Sequence, residues 1–245
     1  ISLLVIGVGL FSYFSKGKQA FGIDFAGGQL QEYSFKDLVA VEKVRAVLKD
    51  LNLADASLQQ FKDQPKVLLI RTAEDKSKEI TAKLKEVFPK EDVQVLRIER
   101  VGPVAGKHLQ SKAIKAMFWS LIGILIYVAF RFKHFNFAIA GVIALIHDVL
   151  VAVGALAFTG RQIDLLSVTA FLTIAGYSIN DTIVIYDRVR ENIKKMRKEN
   201  LATIMNVSIN ETLGRTVLTT GTVMMVVLIL FFFGGPVIHD FTTAM

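Results

Sequence analysis

The chain of 245 residues contains no cysteine at all. Disulfide frameworks, thiolate metal sites and cysteine nucleophiles are therefore excluded. A phosphate-binding loop is missing as well. The stretch "GPVAGKH" (102–108) has three residues between its glycines where such a loop has four, and His108 stands where a Ser or Thr would hold magnesium. We therefore expect no nucleotide, no other cofactor and no metal site.

Acidic residues are fewer than basic ones, which gives a net charge of +7. Much of the excess lies in one short segment between two apolar runs: Arg188, Arg190, Lys194, Lys195, Arg197 and Lys198. Sites that bind single-stranded nucleic acid combine such charges with aromatic residues. This segment has no aromatic residues between its charges. Positive charge beside apolar spans is instead typical of the cytoplasmic loops of membrane proteins. The sequence therefore predicts a lipid bilayer, and no nucleic acid, as a partner.

Hydrophobic residues make up 52% of the chain but are unevenly distributed. Residues 15–112 are polar enough for a domain in water, whereas residues 113–245 are mostly apolar and predict a transmembrane bundle. Residues 1–14 are apolar but too few to cross the bilayer core, which takes about 20 helical residues. We expect them to be the end of a truncated first span, and "GGPVIHDFTTAM" (234–245) to begin an incomplete sixth.

The polar domain shows alternating strand and helix patterns. Its strands are predicted near 29–35, 57–61, 67–72 and 92–101, and its helices over 37–51 and 75–88. This order is βαββαβ, which is typical of ferredoxin-like α+β domains. Gly22, Gly27 and Gly28 precede the first strand and indicate tight or unusual backbone there.

Four further apolar segments predict transmembrane helices, at about 114–130, 136–158, 164–186 and 216–233. Their connections at 131–134 and 188–198 are basic and are therefore predicted to be cytoplasmic. The polar domain must then lie on the extracytoplasmic side. The segment 188–214 fits either an amphipathic helix at the membrane surface or a cytoplasmic connecting loop.

Asp181 is the most unusual residue of these spans, since a carboxylate within the bilayer costs about 2.5–3.5 kcal/mol on insertion scales. Helical spacing places Tyr177 and Asn180 on the same polar, small-residue side as Asp181. Intramembrane carboxylates frequently carry protons in pumps and transporters. The alternative is an Asp that only fixes the packing of neighbouring helices through hydrogen bonds.

Other polar groups within the apolar segments could support Asp181. Arg215 begins the next span and is either the counter-charge of Asp181 or an anchor at the membrane surface. Thr219 follows it by one helical turn and supplies a hydroxyl group. His147 and Asp148 form a second polar pair, which could serve the same proton relay or be purely structural.

Five motifs together resemble the SecF family of the bacterial SecDF protein-export complex. They are "FGIDFAGG" (21–28), "GPVAGK" (102–107), "ALIHDV" (144–149), "GYSINDTIVIYDRVREN" (176–192) and "NETLGRTVLTTGT" (210–222). The first motif, with Gly22, Asp24, Gly27 and Gly28, carries Ala26 where the family frequently has Thr. The resemblance implies the resistance-nodulation-division superfamily, six spans, and a role of Asp181 and Arg215 in proton-driven work.

The resemblance further implies that the chain is an accessory subunit that uses the proton gradient to promote polypeptide export. Its implied partners are SecD, separate or fused, the SecYEG channel and the unfolded exported chain, in the bacterial inner membrane. Two alternatives are a proton-coupled small-molecule exporter of the same superfamily and a passive scaffold of the channel. No set of nucleophile, base and oxyanion donors can be assembled, so we do not expect an enzyme.

Overall fold

The structure is a computed structural model that describes residues 2–60, 64–132 and 135–245. Its contacts divide the chain into two compact units. One, called here the helical unit, is built mainly from Lys115–Val153 and Thr169–Met245. The other, the sheet unit, comprises Gly7–Ile114 and Gly154–Val168. The boundary after Ile114 lies next to the predicted split near residue 113, but residues 7–14 and 154–168, predicted to lie outside the polar domain, also belong to the sheet unit.

After the short helix α2 (Ile23–Ala26), the described part of the sheet unit contains four strands and two crossing helices in the order β1, α3, β2, β3, α4, β4. Their bounds are Gly28–Ser34, Val41–Asp50, Ser57–Gln60, Val67–Thr72, Ser77–Val87 and Gln94–Val101. The spatial order is β2-β3-β1-β4, and every neighbouring pair is antiparallel. Residue 61, the last of the predicted strand 57–61, lies outside the described residues. The helix α3 is shorter than the helix predicted over 37–51.

Apolar side chains at helical spacing on α3 and α4 pack against one face of this sheet. Val44 from α3, Ile80 and Leu84 from α4, and Tyr33 and Ile70 from the strands are completely buried. Burying such a side chain stabilises a fold by about 1.5–3 kcal/mol. This core therefore accounts for the amphipathic pattern of both helices.

Polar side chains of β1 form a hydrogen-bonded row on the same face of the sheet. Gln31 donates to Gln29 over 3.1 Å, and the Tyr33 hydroxyl donates to Gln31 over 2.7 Å. At the end of the row, Gln29 donates to the Asp75 carboxylate over 3.1 Å. Each buried amide thus has a partner, which avoids the cost of burying an unsatisfied polar group.

Within the sheet unit, two helix segments approach each other at a pair of glycines. The first helix, α1 (Ser2–Lys16), brings Gly9 against Gly154 near the end of α6 (Phe135–Phe158). A Cβ atom built on Gly9 would clash with the Gly154 backbone. Small residues at both positions allow the two backbones to approach closely, as in many membrane helix pairs.

Long apolar helices form the helical unit. In addition to α6, they are α5 (Pro103–Phe132), α7 (Leu165–Lys195) and α8 (Leu201–Phe233), followed by the shorter α9 (Gly235–Ala244). The helices α5, α6, α7 and α8 are long and apolar enough to cross a membrane. Each corresponds to one of the four predicted spans. Val128, Leu145 and Ile179 from α5, α6 and α7 are buried in their common core.

The segment 188–214 does not form a separate surface helix or a loop. Instead α7 continues to Lys195, residues 196–200 form a turn, and α8 starts at Leu201. The Asn200 side chain caps α8 by accepting a hydrogen bond from the Thr203 amide over 2.8 Å. Neither side of this turn contains a proline, so both helices extend well past the predicted spans 164–186 and 216–233.

Candidate functional site

Asp181 lies half-buried in α7, where its side chain lines a cavity of about 230 Å³ between α7 and α8. The other lining residues are Ile174, Tyr177 and Ser178 from α7, Thr220, Val223, Met224 and Val227 from α8, and the terminal Met245. Most of these side chains are apolar. The carboxylate therefore shares the cavity with only three other side chains that carry a hydroxyl group, those of Tyr177, Ser178 and Thr220.

Ser178 connects this cavity to the predicted polar pair of α6. Its hydroxyl donates to Asp148 Oδ2 over 2.7 Å, and Asp148 Oδ1 lies 3.0 Å from His147 Nδ1. Ser178 is not among the site residues predicted from the sequence. It lies three positions before Asp181, on the same side of α7, and this spacing is the signal that could have identified it.

Beyond the cavity, a group of polar side chains joins α7 to α8. Arg188 Nε donates to Glu211 Oε2 over 2.7 Å, and its Nη1 donates to Glu191 over the same distance. Asn192 donates to Glu211 over 2.7 Å and to the Ser208 hydroxyl over 3.0 Å. Asn192 and Ser208 are almost completely buried, at 3% and 0% exposure. We call these five residues the α7–α8 clamp.

The clamp fixes how the two antiparallel helices are aligned. Arg188 lies beside Glu211, so counting back along α7 places Asp181 beside residues 218–220 of α8. The cavity lining agrees, since Asp181 and Thr220 share it. Buried polar contacts of this kind specify the register of packed helices, because a shift would leave each group unsatisfied.

Arg215 lies between the clamp and the cavity on α8. It is exposed, and no ion pair within 4.0 Å joins it to Asp181 in the described ranges. The predicted pairing of the two charges is therefore not formed in this structure. Arg215 and Thr219 are about 6 Å apart along α8, at about 1.5 Å per residue. Because Asp181 lies beside residues 218–220, an arginine side chain is long enough to span this distance.

The remaining predicted residues of the bundle are placed differently. Tyr177 lines the cavity, whereas Asn180 is exposed and is absent from its lining. Thr219 is half-buried and also lies outside the lining. The structure thus brings Asp181 together with Tyr177, Ser178 and Thr220.

Asp187, the neighbour of Arg188, anchors α7 to a different helix. Its carboxylate accepts a hydrogen bond from Arg131 of α5 over 2.8 Å. Two adjacent residues of α7 therefore bind α5 and α8 respectively. Residues 133 and 134 of the predicted basic loop that follows α5 lie outside the described residues.

The glycine motif belongs to the sheet unit and organises its own surroundings. The Gly22 amide donates to the Ile163 carbonyl over 2.8 Å, and a Cβ atom on Gly22 would approach the Asp164 Cβ atom to 2.8 Å. Asp24 Oδ2 accepts a hydrogen bond from the Leu165 amide over 3.0 Å. Because Leu165 begins α7, this carboxylate also interacts favourably with the positive end of the helix.

Gly27 and Gly28 adopt backbone conformations that other residues rarely take, with φ of 74° and 114°. A Cβ atom on Gly28 would lie 2.8 Å from the Thr72 carbonyl oxygen of β3. One on Gly27 would lie 3.0 Å from the Pro103 Cα atom, where α5 begins. The motif is therefore structural: it lets the chain pass between β3 and α5 on its way into β1.

Arg71 on β3 is a half-buried cation next to this motif. Its Nη2 atom donates to the Phe21 carbonyl over 2.6 Å and also to the Gln162 side chain. Burial lowers the pKa of Arg71 to about 10, and the negative charge of Asp24 opposes that shift. Arg71 thus holds the segment around Phe21 and the loop containing Gln162 together within the sheet unit.

A family model described as protein export membrane protein SecD/SecF, C-terminal, matches residues 79–245. The chain belongs to this family. The family match confirms the resemblance that the five motifs indicated. The chain is 43% identical over 250 residues to the protein translocase subunit SecF of Calditerrivibrio nitroreducens, covering 98% of the chain and 81% of that protein. Its identity to the protein of the same name from Vibrio alginolyticus is 40%, covering 100% of the chain and 78% of the relative.

Two solved structures of SecDF are also similar to the chain. The crystal structure of SecDF from Thermus thermophilus, a translocon-associated membrane protein, superposes with a TM-score of 0.85 at 36% identity and covers 99% of the chain. A structure of SecDF in a super-membrane-facing form gives a TM-score of 0.66 at 35% identity and also covers 99% of the chain. The chain spans about one third of each of these longer proteins, 33% and 34%.

Proposed function

We propose that this chain is a SecF-type subunit that promotes polypeptide export by using the proton gradient. Family membership supports the export role, and the relatives of similar length are named protein translocase subunits. The observation that carries the proton step is the position of Asp181. Its carboxyl group lines an apolar cavity between two long helices, where it can be neutral or charged but is costly to leave unpaired.

In the proposed cycle, the Asp181 carboxylate pairs in turn with Arg215 and with a proton. When its carboxylate is charged, Arg215 approaches along α8 and forms the ion pair that the sequence predicts. When a proton from outside neutralises Asp181, the attraction disappears and Arg215 returns to the exposed position described above. The Arg215 to Thr219 spacing of about one helical turn is consistent with a small movement of α8 against α7.

The energy available per proton fits a shift between two helix arrangements. Moving one charge through 100 mV provides about 2.3 kcal/mol, which biases a two-state equilibrium by about fiftyfold. An energy of this size can shift the helices only if the two helix arrangements are packed almost equally well. The cavity beside Asp181 provides space for such repacking without the removal of a well-packed core.

We further propose that the sheet unit is a ferredoxin-like domain on the extracytoplasmic side of the inner membrane. The strand order β2-β3-β1-β4, with one helix between β1 and β2 and another between β3 and β4, supports this fold. The basic residues between α7 and α8 support a cytoplasmic location for that turn. The proposed partners are SecD, the SecYEG channel and the exported polypeptide.

The test replaces Asp181 by Asn, which keeps the shape of the side chain and removes its proton equilibrium. We expect D181N to assemble normally in the membrane but to lose its stimulation of export and its proton flux in vesicles. D181E serves as the matched control, because it retains a titratable group and should keep part of both activities. Export that is unchanged in D181N would instead indicate a passive scaffold of the channel.

A further inference from the structure

A second cavity lies at the other end of the same helices, near the turn that joins α7 to α8. It has a volume of about 260 Å³ and is lined by α6, α7 and α8. The lining residues are Asn136, Phe137, Ala140, Ile185, Tyr186, Val189, Leu201, Met205 and Ile209. Apart from the Asn136 amide and the Tyr186 hydroxyl, these side chains are apolar. The Asp181 mechanism uses none of them.

Several basic residues lie close in the chain to the lining of this cavity. Five basic residues follow its α7 lining and precede its α8 lining: Arg190, Lys194, Lys195, Arg197 and Lys198. All five are exposed, and no carboxylate within 4.0 Å pairs with them in the part of the chain that the structure describes. By contrast, the preceding Arg188 binds both Glu191 and Glu211.

Helix geometry separates these cations into two groups. At 3.6 residues per turn, the α7 lining residues Ile185, Tyr186 and Val189 cover about 100° of the helix surface, and Arg190 lies about 40° beyond the Tyr186 edge. Lys194 and Lys195 each lie about 130° from the middle of this lining, toward the opposite side of the helix. Arg190 is therefore the α7 cation beside the cavity lining, whereas Lys194 and Lys195 both lie on the far side of the helix.

We propose that this cavity and the Arg190 cation beside it bind an anionic phospholipid. An acyl chain occupies the apolar space between α6, α7 and α8, and the phosphate group contacts Arg190. The helices around the cavity are of membrane-spanning length and apolarity, so lipid chains are the molecules that surround it. Basic pockets between helices at a membrane surface are suited to anionic head groups. The first turns of α6 and α8 also bring positive helix ends to the site.

A topology signal is the simpler explanation for the charges, since basic residues flank membrane spans generally. That explanation requires neither the cavity nor any difference between the two sides of α7. The proposed site requires both: a neutralised Arg190 or a filled cavity should weaken binding, and a neutralised Lys195 should not.

The chain's single tryptophan allows lipid contact to be measured at one position. Trp119 is replaced by Phe, and Met205, which lines the cavity, is replaced by Trp in the full chain. This protein is reconstituted in vesicles of phosphatidylcholine that contain brominated phosphatidylglycerol or, separately, brominated phosphatidylcholine. Quenching of the new tryptophan reports which lipid occupies the cavity.

We expect brominated phosphatidylglycerol to quench this tryptophan more strongly at equal mole fraction. R190Q should lower the preference by about fivefold, the effect of one basic residue near an anionic surface. K195Q, in the same turns of α7, should leave it unchanged. A140F, which fills the cavity, should abolish the preference with every charge in place.

Three results would overturn the proposal. Equal quenching by the two lipids means that the site does not select anionic head groups. Equal losses in R190Q and K195Q mean diffuse attraction to the membrane surface. Absence of quenching by either lipid, with the complex assembled, means that a helix of a partner subunit fills the cavity instead.

Discussion

Arg188 of α7 and Glu211 of α8 are joined by a hydrogen bond of 2.7 Å between Nε and Oε2, and Asn192 donates to the same carboxylate oxygen. The contact has two layers. Arg188 and Glu211 form an ion pair near the surface, and Asn192 and Ser208 form a buried polar pair beneath it. Arg188 and Glu211 are 32% and 39% exposed, whereas Asn192 and Ser208 are buried. The two layers should therefore contribute differently to the alignment of Asp181 with α8.

Replacement of Asn192 by Ala should destabilise the helix pair more than replacement of Arg188 by Gln. The first leaves the buried Ser208 hydroxyl without this donor and should cost about 1–3 kcal/mol. The second removes a partly exposed ion pair, for which about 0–1 kcal/mol is typical. Unfolding of the purified chain by sodium dodecyl sulfate in mixed micelles measures both. Equal losses would show that the buried pair has no special weight.

The cavity beside Asp181 predicts which side chains face each other across α7 and α8. Cysteines introduced at Tyr177 and Val223, which both line it, should be joined by a short bifunctional thiol reagent. The absence of native cysteine makes the chain a clean background. Cysteines at Asn180 and Val223 form the control, because Asn180 is outside the lining. Similar cross-linking of both pairs, measured by mass spectrometry of the linked peptides, would contradict this arrangement.

The close approach of Gly9 and Gly154 predicts a strong difference between two glycines of α1. A Cβ atom on Gly9 would clash with the Gly154 backbone, whereas one on Gly7 would meet nothing within 4 Å. Gly9→Ala should therefore separate α1 from α6 and lower thermal stability. Gly7→Ala should be neutral or slightly stabilising, since alanine favours helices by about 1 kcal/mol. Thermal unfolding of the two variants in detergent tests this, and equal melting temperatures would contradict it.

Asp75 should titrate below the ordinary aspartate value of about 3.9. The hydrogen bond from Gln29 is the main reason for its lowered pKa, and the nearby Arg100 guanidinium contributes. A lowered folded-state pKa means that the carboxylate stabilises the fold above the ordinary value. This contribution is lost as the pH falls through the folded-state pKa. Carboxyl NMR titration should show a midpoint that rises in Gln29→Ala and rises less in Arg100→Gln; an unchanged midpoint in Gln29→Ala would be inconsistent with this cause.

Several features could be predicted from the sequence because local patterns decide them. Apolar runs long enough for the bilayer identified the four long helices, and helical spacing identified the buried sides of α3 and α4. The carboxylate of Asp181 was conspicuous for the same local reason, since a charge within an apolar run is costly wherever the helix packs. The helix ends were predicted less well: α7 and α8 continue into polar sequence, where hydropathy changes but helix propensity does not.

Contacts between distant segments were decided only by the tertiary structure. Nothing in a single helix shows that Ser178 donates to Asp148, that Asn192 meets Ser208, or that Arg215 stands apart from Asp181. These relationships depend on how α6, α7 and α8 rotate and slide against one another, and packing sets both over separations of many residues. Gly154–Val168 belongs to the sheet unit because of packing against segments that are distant in the sequence. Sequence alone therefore determined which groups carry charge inside the membrane, and the fold determined which partners they meet.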